Sequence, residues 1–314
     1  MPPKVVVVTG PTATGKTALG IALAKKFDGE IVGADSMQIY KCMDIGTAKP
    51  TAQERAEAVH HMVDCVSPFE TYSVSRYVEE AGRAADDILS RGRLPIIVGG
   101  TGLYIDALLA GRDFAPSPES TEIRAETEAL YDSLGGEKCL EYLSSFDPES
   151  GARLAPNDKK RIVRAIEVYR LSGKTITEHN RASKSIPPRY EACKLALSFS
   201  ERRRLYERID DRVELMMENG LLDEVKALID MGLDTSSTAV QAIGYKELYE
   251  AICGKCSVGD AVERIKQSSR RYAKRQLSWL SRDGTINWIL WKNEPDFALG
   301  LQYSTEFLGK FGII

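Results

Sequence analysis

The stretch Val5-Val6-Val7-Val8-Thr9-Gly10-Pro11-Thr12-Ala13-Thr14-Gly15-Lys16-Thr17 decides the fold. Its four consecutive valines are typical of a buried β-strand. The segment that follows fits the phosphate-binding P-loop pattern G-x-x-x-x-G-K-[ST], and residues 18–27 have the composition of a helix. A strand, a glycine-rich turn and a helix in this order bring backbone N–H groups to a helix N-terminus, where they bind phosphate oxygens. The stretch therefore predicts a site for a diphosphate or a triphosphate.

The residues of this loop have distinct expected roles. Gly10 and Gly15 allow the tight turn, and Lys16 supplies a positive charge to the phosphate. The Thr17 hydroxyl is placed to bind a Mg²⁺ ion that the phosphate also holds. The expected diphosphate site consists of Gly10, Pro11, Thr12, Ala13, Thr14, Gly15, Lys16 and Thr17.

Two further strands bring polar residues to the same edge of the predicted sheet. Residues 30–35 read as a second strand that ends at Asp35, and residues 94–98 as a third that runs into Gly99-Gly100-Thr101. Open α/β sheets bind ligands at the carboxyl ends of their strands. Typical P-loop NTPases end the third strand with an acid that coordinates Mg²⁺, whereas here Thr101 offers a hydroxyl. A capping role for Thr101 at the helix that follows is the alternative, and both roles are compatible.

The remaining elements define the fold class and the domains. Strands are also predicted at residues 194–199 and 285–291, giving about five strands separated by helices. This order predicts an α/β fold, a P-loop NTPase-like parallel sheet with helices on both faces. Residues 116–186 change to a charged, helical composition. We therefore predict a core domain of residues 1–115 and 187–314, with C-terminal helices, and a helical insertion domain between them.

The bulk composition excludes several classes of protein. A chain of 314 residues can bury a sizeable core, and its net charge of −3 does not favour nucleic-acid binding by the whole surface. No stretch is apolar enough to span a bilayer, and the first strand starts too near Met1 for a signal peptide. We expect a cytoplasmic protein without a membrane partner. The cysteines and histidines are not spaced as a zinc site, since Cys253-Gly-Lys-Cys256 is the one close pair.

Two clusters of basic residues stand out against this background. Six basic residues and no acid lie between Arg264 and Arg275, close to Tyr272 and Trp279. A second cluster runs from Lys159 to Arg164. Charge runs usually form solvated faces. Two acid-poor basic helices, one of them with aromatic residues, nevertheless favour a single-stranded or looped RNA as partner.

Together these segments resemble the tRNA dimethylallyltransferase family, also called the tRNA isopentenyltransferase or IPP transferase family. The resemblance runs almost end to end. It is closer to the bacterial form, because no zinc finger follows the fifth strand. The segments that carry it are Gly10–Thr17, Ala34–Tyr40, Ile45–Pro50, Gly99–Tyr104, Pro156–Glu167, Gln241–Tyr245 and Lys274–Trp279.

The resemblance implies an activity, a cofactor and partners. A dimethylallyl group would pass from dimethylallyl diphosphate to N6 of the adenosine at position 37 of a tRNA, with Mg²⁺ bound and diphosphate released. Asp35 would act as the general base, and Thr101 would orient the amine. The adenosine would flip out of the anticodon loop, the insertion would act as a clamp, and the enzyme is expected to be a monomer. The tRNA-binding residues would be Asp35, Ser36, Met37, Gln38, Thr101, Arg124, Lys159, Lys160, Arg161, Arg164, Gln241, Lys274, Arg275, Gln276 and Trp279.

Three other kinds of protein share part of this pattern. An adenylate isopentenyltransferase prenylates free AMP, ADP or ATP and has no need of the basic C-terminal helix. A P-loop nucleotide or metabolite kinase would use Asp35 to activate a hydroxyl group, but the Gly-Gly-Thr ending of the third strand counts against it. A non-enzymatic RNA-binding protein would leave the P-loop and Asp35 unexplained.

Overall fold

A computed structural model describes residues 2–112, 114, 121–235 and 237–314. The chain forms two compact units, one running to Leu109 and resuming with Pro188–Ile314, the other comprising Ala110–Pro187. The described part of the predicted insertion, residues 121–186, lies inside the second unit. Its predicted start, at residues 115–116, falls outside the described residues.

In the described residues the strands and helices alternate as far as the helix Gly102–Ala110, five further helices then precede the strand Glu191–Phe199, and four α-helices lie between that strand and the strand Ile286–Trp291. In order they are β1 (Lys4–Thr9), α1 (Lys16–Lys26), β2 (Gly29–Gly33), α2 (Ala52–Glu57), β3 (His60–His61), α3 (Val74–Ser90), β4 (Leu94–Val98), α4 (Gly102–Ala110), α5 (Thr121–Leu134), α6 (Gly136–Phe146), α7 (Pro148–Arg153), α8 (Lys159–Ser172), α9 (Ile176–Lys184), β5 (Glu191–Phe199), α10 (Arg202–Glu218), α11 (Leu221–Asp230), a 3₁₀ helix (Ala239–Gln241), α12 (Tyr245–Ile252), α13 (Val258–Leu280), β6 (Ile286–Trp291) and α14 (Phe297–Phe311).

The first unit contains one parallel sheet with the strand order β3-β2-β4-β1-β5-β6. The parallel α/β fold predicted from the sequence is confirmed, with six strands among the described residues where about five were expected. The additional strand, β3, is two residues long and pairs with Ile31 and Val32 of β2. Two polar histidines carry no strand periodicity, which is why the pattern missed it. Strand β1 lies between β4 and β5, so the loop that follows it adjoins the ends of both.

Helices cover both faces of this sheet. Val6 and Val8 of β1 belong to a core cluster with Leu19 of α1 and Leu308 of α14. Val5 and Val7, which alternate with them along β1, point to the opposite face of the sheet. All four valines are completely buried. The described residues contain no helix that is long and apolar enough to cross a membrane.

The second unit is helical, from α5 to α9. Helix α8 buries Ile162, Ala165 and Ile166, which recur at helical spacing, in a core shared with α6. Lys160 and Arg161 of the same helix are exposed. The helix therefore has one apolar side for packing and leaves basic residues at the surface.

Candidate active site

The P-loop is a compact turn built around the carbonyl group of Pro11. This oxygen accepts hydrogen bonds from Lys16 Nζ and from Thr14 Oγ1, both at 2.8 Å. Gly10 has a φ of 139°, and a Cβ there would lie 2.3 Å from the carbonyl oxygen of Leu197 on β5. Only glycine fits between the two strands at this point.

The N-terminus of α1 is open to a ligand. Gly15, with a φ of 87°, precedes the helix and provides no side-chain cap. The first amides of the helix, from Lys16 onwards, consequently lack intrahelical partners and can bind an anion. No described residue hydrogen-bonds to the Thr17 hydroxyl. Trp291 of β6 fixes the loop from outside, because its Nε1 donates to the Thr14 carbonyl at 3.0 Å.

Two cations and a carboxylate act on one another beside this loop. Burial lowers the pKa of Lys16 to about 8, the nearby Arg212 guanidinium lowers it too, and the Asp35 carboxylate opposes both. Burial also lowers the pKa of Arg212, while the Asp35 carboxylate raises it. Helix α10, which carries Arg212, also reaches the loop through Arg208, whose Nε donates to the Ala13 carbonyl at 3.3 Å. The site therefore holds uncompensated positive charge suited to a diphosphate.

Asp35 and Thr101, predicted from separate strands, lie side by side. The Asp35 carboxylate shapes its own turn, because Oδ1 accepts from the backbone N–H groups of Met37 (2.9 Å) and Gln38 (3.4 Å). No described residue donates to Oδ2. The amide of Ser36, directly after Asp35, donates to Thr101 Oγ1 at 3.1 Å. The Thr101 hydroxyl in turn donates to Ser36 Oγ at 3.4 Å. The Asp35 carboxylate and the Thr101 hydroxyl thus lie together at the carboxyl ends of β2 and β4.

Helix α13 contributes two site residues whose position the sequence did not indicate. Gln276 was expected to bind RNA, but it is only 7% exposed. Its Oε1 accepts from the Thr12 N–H (3.2 Å) and its Nε2 donates to the Gly100 carbonyl (2.9 Å), so it ties the P-loop to the loop after β4. One turn earlier, burial and the Asp35 carboxylate raise the pKa of the Tyr272 hydroxyl to about 12. Both residues lie at the site, and the burial of Gln276 together with its two internal hydrogen bonds argues against the RNA contact predicted for it.

Trp279 and Gln241 occupy more peripheral positions. The Trp279 indole packs against Gly102 of α4, where a Cβ would lie 2.4 Å from the ring, and its Nε1 donates to Asp106 Oδ2 at 3.1 Å. Its ring is partly exposed. Gln241 is exposed and donates to the Thr235 carbonyl at 3.2 Å. The structure does not bring either of them to Asp35.

Ion pairs divide the basic residues of α13 into two groups. Three of them are paired with acids of α10, α12 or α13 itself, whereas Arg271, Lys274 and Arg275 are exposed and form no ion pair with any described residue. The free group therefore offers positive charge to an anionic partner. The paired group consists of Arg264 with Glu250 (2.7 Å), Lys266 with Glu214 (2.5 Å) and Glu263 (2.7 Å), and Arg270 with Asp210.

The basic residues predicted in the insertion all lie in the second unit. Lys160 is exposed and forms no ion pair within the described part of the chain. Arg124, Lys159 and Arg161 pair at the surface, where such pairs contribute about 0–1 kcal/mol and yield easily to a phosphate. Arg164 pairs with Glu167, whose carboxylate is buried. These pairs are Arg124 with Glu128 (3.2 Å), Lys159 with Asp132 (2.5 Å), Arg161 with Asp158 (2.7 Å) and Arg164 with Glu167 (3.0 Å).

The donor set suits a hard cation that is shared with a ligand. The described residues contain no group of three or more His, Cys, Asp or Glu side chains that could hold a metal ion alone. The Thr17 hydroxyl and the phosphate oxygens of a bound diphosphate are the oxygen ligands that Mg²⁺ prefers. The P-loop therefore fits a Mg²⁺ ion that arrives with its diphosphate.

Sequence comparison identifies the family. A profile described as IPP transferase matches residues 38–283, more than half of the chain. The chain belongs to this family. A second profile, described as isopentenyl transferase, matches residues 3–61, which include the P-loop and the Asp35 turn. The resemblance predicted from the sequence segments is confirmed.

Named relatives match over nearly the whole length. The chain is 46% identical over 304 residues to tRNA dimethylallyltransferase 2 of Geotalea uraniireducens, with 97% of each chain covered. It is 46% identical over 302 residues to tRNA dimethylallyltransferase of Geobacillus thermodenitrificans, covering 96% of this chain and 95% of that one.

Solved structures have the same fold. The full-length tRNA isopentenylpyrophosphate transferase of Bacillus halodurans is 38% identical with a TM-score of 0.73, over 98% of this chain and 96% of that chain. A eukaryotic dimethylallyltransferase acting on tRNA is 32% identical with a TM-score of 0.82, over 97% of this chain and 77% of that chain.

Proposed function

We propose that the chain transfers the dimethylallyl group of dimethylallyl diphosphate to N6 of the adenosine at position 37 of tRNAs, beside the anticodon. The observation that carries the proposal is the meeting of a cationic P-loop with Asp35 and Thr101 in a member of the IPP transferase family. The names of relatives at 46% identity support tRNA as the substrate.

The acceptor side of the reaction depends on Asp35 and Thr101. An adenine amine is a weak nucleophile, because its lone pair is delocalised into the ring. As N6 attacks C1 of the dimethylallyl group, the bond from C1 to the diphosphate oxygen breaks and one N6 proton passes to the Asp35 carboxylate. The free Oδ2 is the acceptor for that proton. The Thr101 hydroxyl, beside Asp35, orients the amine through a hydrogen bond.

The leaving-group side depends on the P-loop. Lys16, Arg212 and the first amides of α1 stabilise the charge that develops on the departing diphosphate. Mg²⁺, when bound, would add Lewis-acid stabilisation of the same charge, and Thr17 would hold it together with the diphosphate oxygens. No phosphoryl group is transferred, so the Gly-Gly-Thr ending of β4 needs no acid.

RNA binding is proposed to use the surface cations. Lys274 and Arg275, with Arg271 beside them, would contact phosphates of the anticodon arm from α13. The segment from Asp35 to Gln38 would contact the flipped adenosine. The second unit would contribute its own basic residues, which are Arg124, Lys159, Lys160, Arg161 and Arg164.

One assay tests the proposed function against its alternatives. The protein is incubated with labelled dimethylallyl diphosphate and either unmodified tRNA or AMP, and phosphate release from ATP is measured in parallel. We expect label in tRNA, recovered after digestion as N6-dimethylallyladenosine. Label in AMP alone would indicate an adenylate isopentenyltransferase. Transfer of the ATP γ-phosphate without prenylation would indicate a kinase.

Removing two free cations of α13 should weaken tRNA binding in a salt-dependent way. In the variant Lys274→Ala/Arg275→Ala, two proposed phosphate contacts are lost. The slope of log K against log salt concentration should flatten by roughly 1.5, since each contact contributes about 0.7–0.9. Binding titrations at several salt concentrations measure this slope.

The chain provides a matched control for that variant. Arg264→Ala/Lys266→Ala removes the same charge from the same helix, but its side chains already pair with acids. It should leave the slope close to the wild-type value. Equal slopes in the two variants would refute specific phosphate contacts at Lys274 and Arg275.

A further inference from the structure

Glu224 of α11 holds a loop that lies next to the Asp35 turn. Its Oε2 accepts hydrogen bonds from the backbone N–H groups of Asp44 and Ile45, each at 2.9 Å. Its Oε1 accepts from the Gly46 N–H at 3.2 Å and from Tyr245 Oη at 2.5 Å. Four donors on one carboxylate form a charge-assisted cluster that fixes the path of the loop.

Packing fixes the same loop from a second direction. Tyr245 is 2% exposed, and a Cβ on Gly46 would lie 2.5 Å from its ring, so the loop lies directly on the tyrosine. The loop in turn holds the side chain of Gln38, whose Nε2 donates to the carbonyls of Thr47 (3.0 Å) and Ala48 (3.1 Å). A continuous series of hydrogen bonds and packing contacts therefore links α11 and α12 to the Asp35 turn.

This chain of contacts determines what Gln38 presents to a ligand. Carbonyl groups only accept hydrogen bonds, so the two of them fix the orientation of the amide. Its Oε1, to which no described residue donates, is left as a pure acceptor in the turn of the catalytic carboxylate. An exocyclic amine has two N–H groups to donate. One is directed to Asp35, and the other can be shared by the Thr101 hydroxyl and Oε1 of Gln38, which both accept.

We propose that Glu224 and Tyr245 are positioning residues for the amine of the RNA substrate and act on it through residues 44–48 and Gln38. The inference rests on the proposed function. It also assigns a positioning role to two of the segments that carry the family resemblance, Ile45–Pro50 and Gln241–Tyr245. Neither RNA contact nor diphosphate binding accounts for such a role.

The decisive experiment is a double-mutant cycle. Glu224→Gln turns one acceptor of the cluster into a donor, so single-turnover prenyl transfer to tRNA should slow by about 10–100-fold, with an unchanged KM for dimethylallyl diphosphate. Tyr245→Phe removes one hydrogen bond and should slow transfer by roughly 3–10-fold. In a Gln38→Ala background, Glu224→Gln should slow transfer by less than about twofold further, because the two residues act in series.

A control and a second measurement separate positioning from folding. Asp223→Asn makes the same charge change on the neighbouring, exposed residue and should leave the rate unchanged. By hydrogen–deuterium exchange, Glu224→Gln should raise exchange at residues 35–38 and 44–48 but not at residues 10–17. Independent effects in the cycle, or unchanged exchange at residues 35–38, would overturn the proposal. A wild-type protein that prenylates no RNA would refute the proposed function, while the exchange data would still decide whether Glu224 holds the turn.

Discussion

Asp35→Asn is expected to slow prenyl transfer in a single turnover by about 10²–10⁴-fold. An asparagine keeps the Oδ1 acceptor for the amides of Met37 and Gln38, so the turn persists. It cannot take a proton from N6, and the amine must then attack without a base. Rapid-quench measurement of labelled product, with enzyme in excess over tRNA, isolates this step from substrate binding and product release.

Two comparisons make this result interpretable. The dissociation constant of tRNA should stay within about threefold of wild type, because Asp35 acts on the transition state and not on the bulk of the RNA. Asp28→Asn, at the exposed opposite end of β2, should change neither quantity. A single-turnover rate near wild type for Asp35→Asn would eliminate Asp35 as the base.

The parts of the site that follow local rules could be predicted from the sequence. Consecutive valines specify a buried strand, and glycines at fixed spacing specify the turn that follows it. The carboxyl ends of parallel strands meet at one edge, so Asp35 and Thr101 could be assigned to one site although they are far apart in sequence. The hydrogen bond from the Ser36 amide to Thr101 Oγ1 joins the two strand ends, as this rule predicts.

The inward face of α13 is hard to recognise in the sequence because basic residues are interleaved with it. Tyr272, Gln276 and Trp279 recur at i, i+4 and i+7, which is the spacing of one helix face. That face packs toward the P-loop and α4, while Lys274 and Arg275 remain exposed. The aromatic and amide spacing therefore distinguishes the buried face of the helix from its exposed basic face.

Arg212 and Glu224 could not have been found by any local rule. Arg212 follows four other arginines within α10, and only its proximity to Lys16 and Asp35 distinguishes it. Glu224 looks like an ordinary surface acid of an amphipathic helix. Its role depends on three backbone amides some 180 residues earlier in the chain, with separations of 180, 179 and 178 residues. Such contacts are decided by tertiary packing.

Lys16→Met is expected to lower the rate of prenyl transfer by about 10²–10³-fold, the typical effect of removing one group that stabilises developing charge. The methionine keeps most of the side-chain volume but offers no charge to the departing diphosphate. Affinity for dimethylallyl diphosphate should fall as well, because Lys16 faces that group before and after reaction. Single-turnover rates and KM for dimethylallyl diphosphate measure the two effects.

The pH dependence of the wild-type protein identifies Lys16 independently. Its pKa of about 8 in the free protein means that the ammonium is charged below pH 8 and loses its proton as the pH rises through that value. A bound diphosphate favours the charged form, so KM should be level at lower pH and should rise by up to about tenfold per pH unit above 8. Lys16→Met should abolish this rise, whereas Lys25→Met, an exposed lysine of the same helix, should retain it. An identical rise in Lys16→Met would assign the titration to another group.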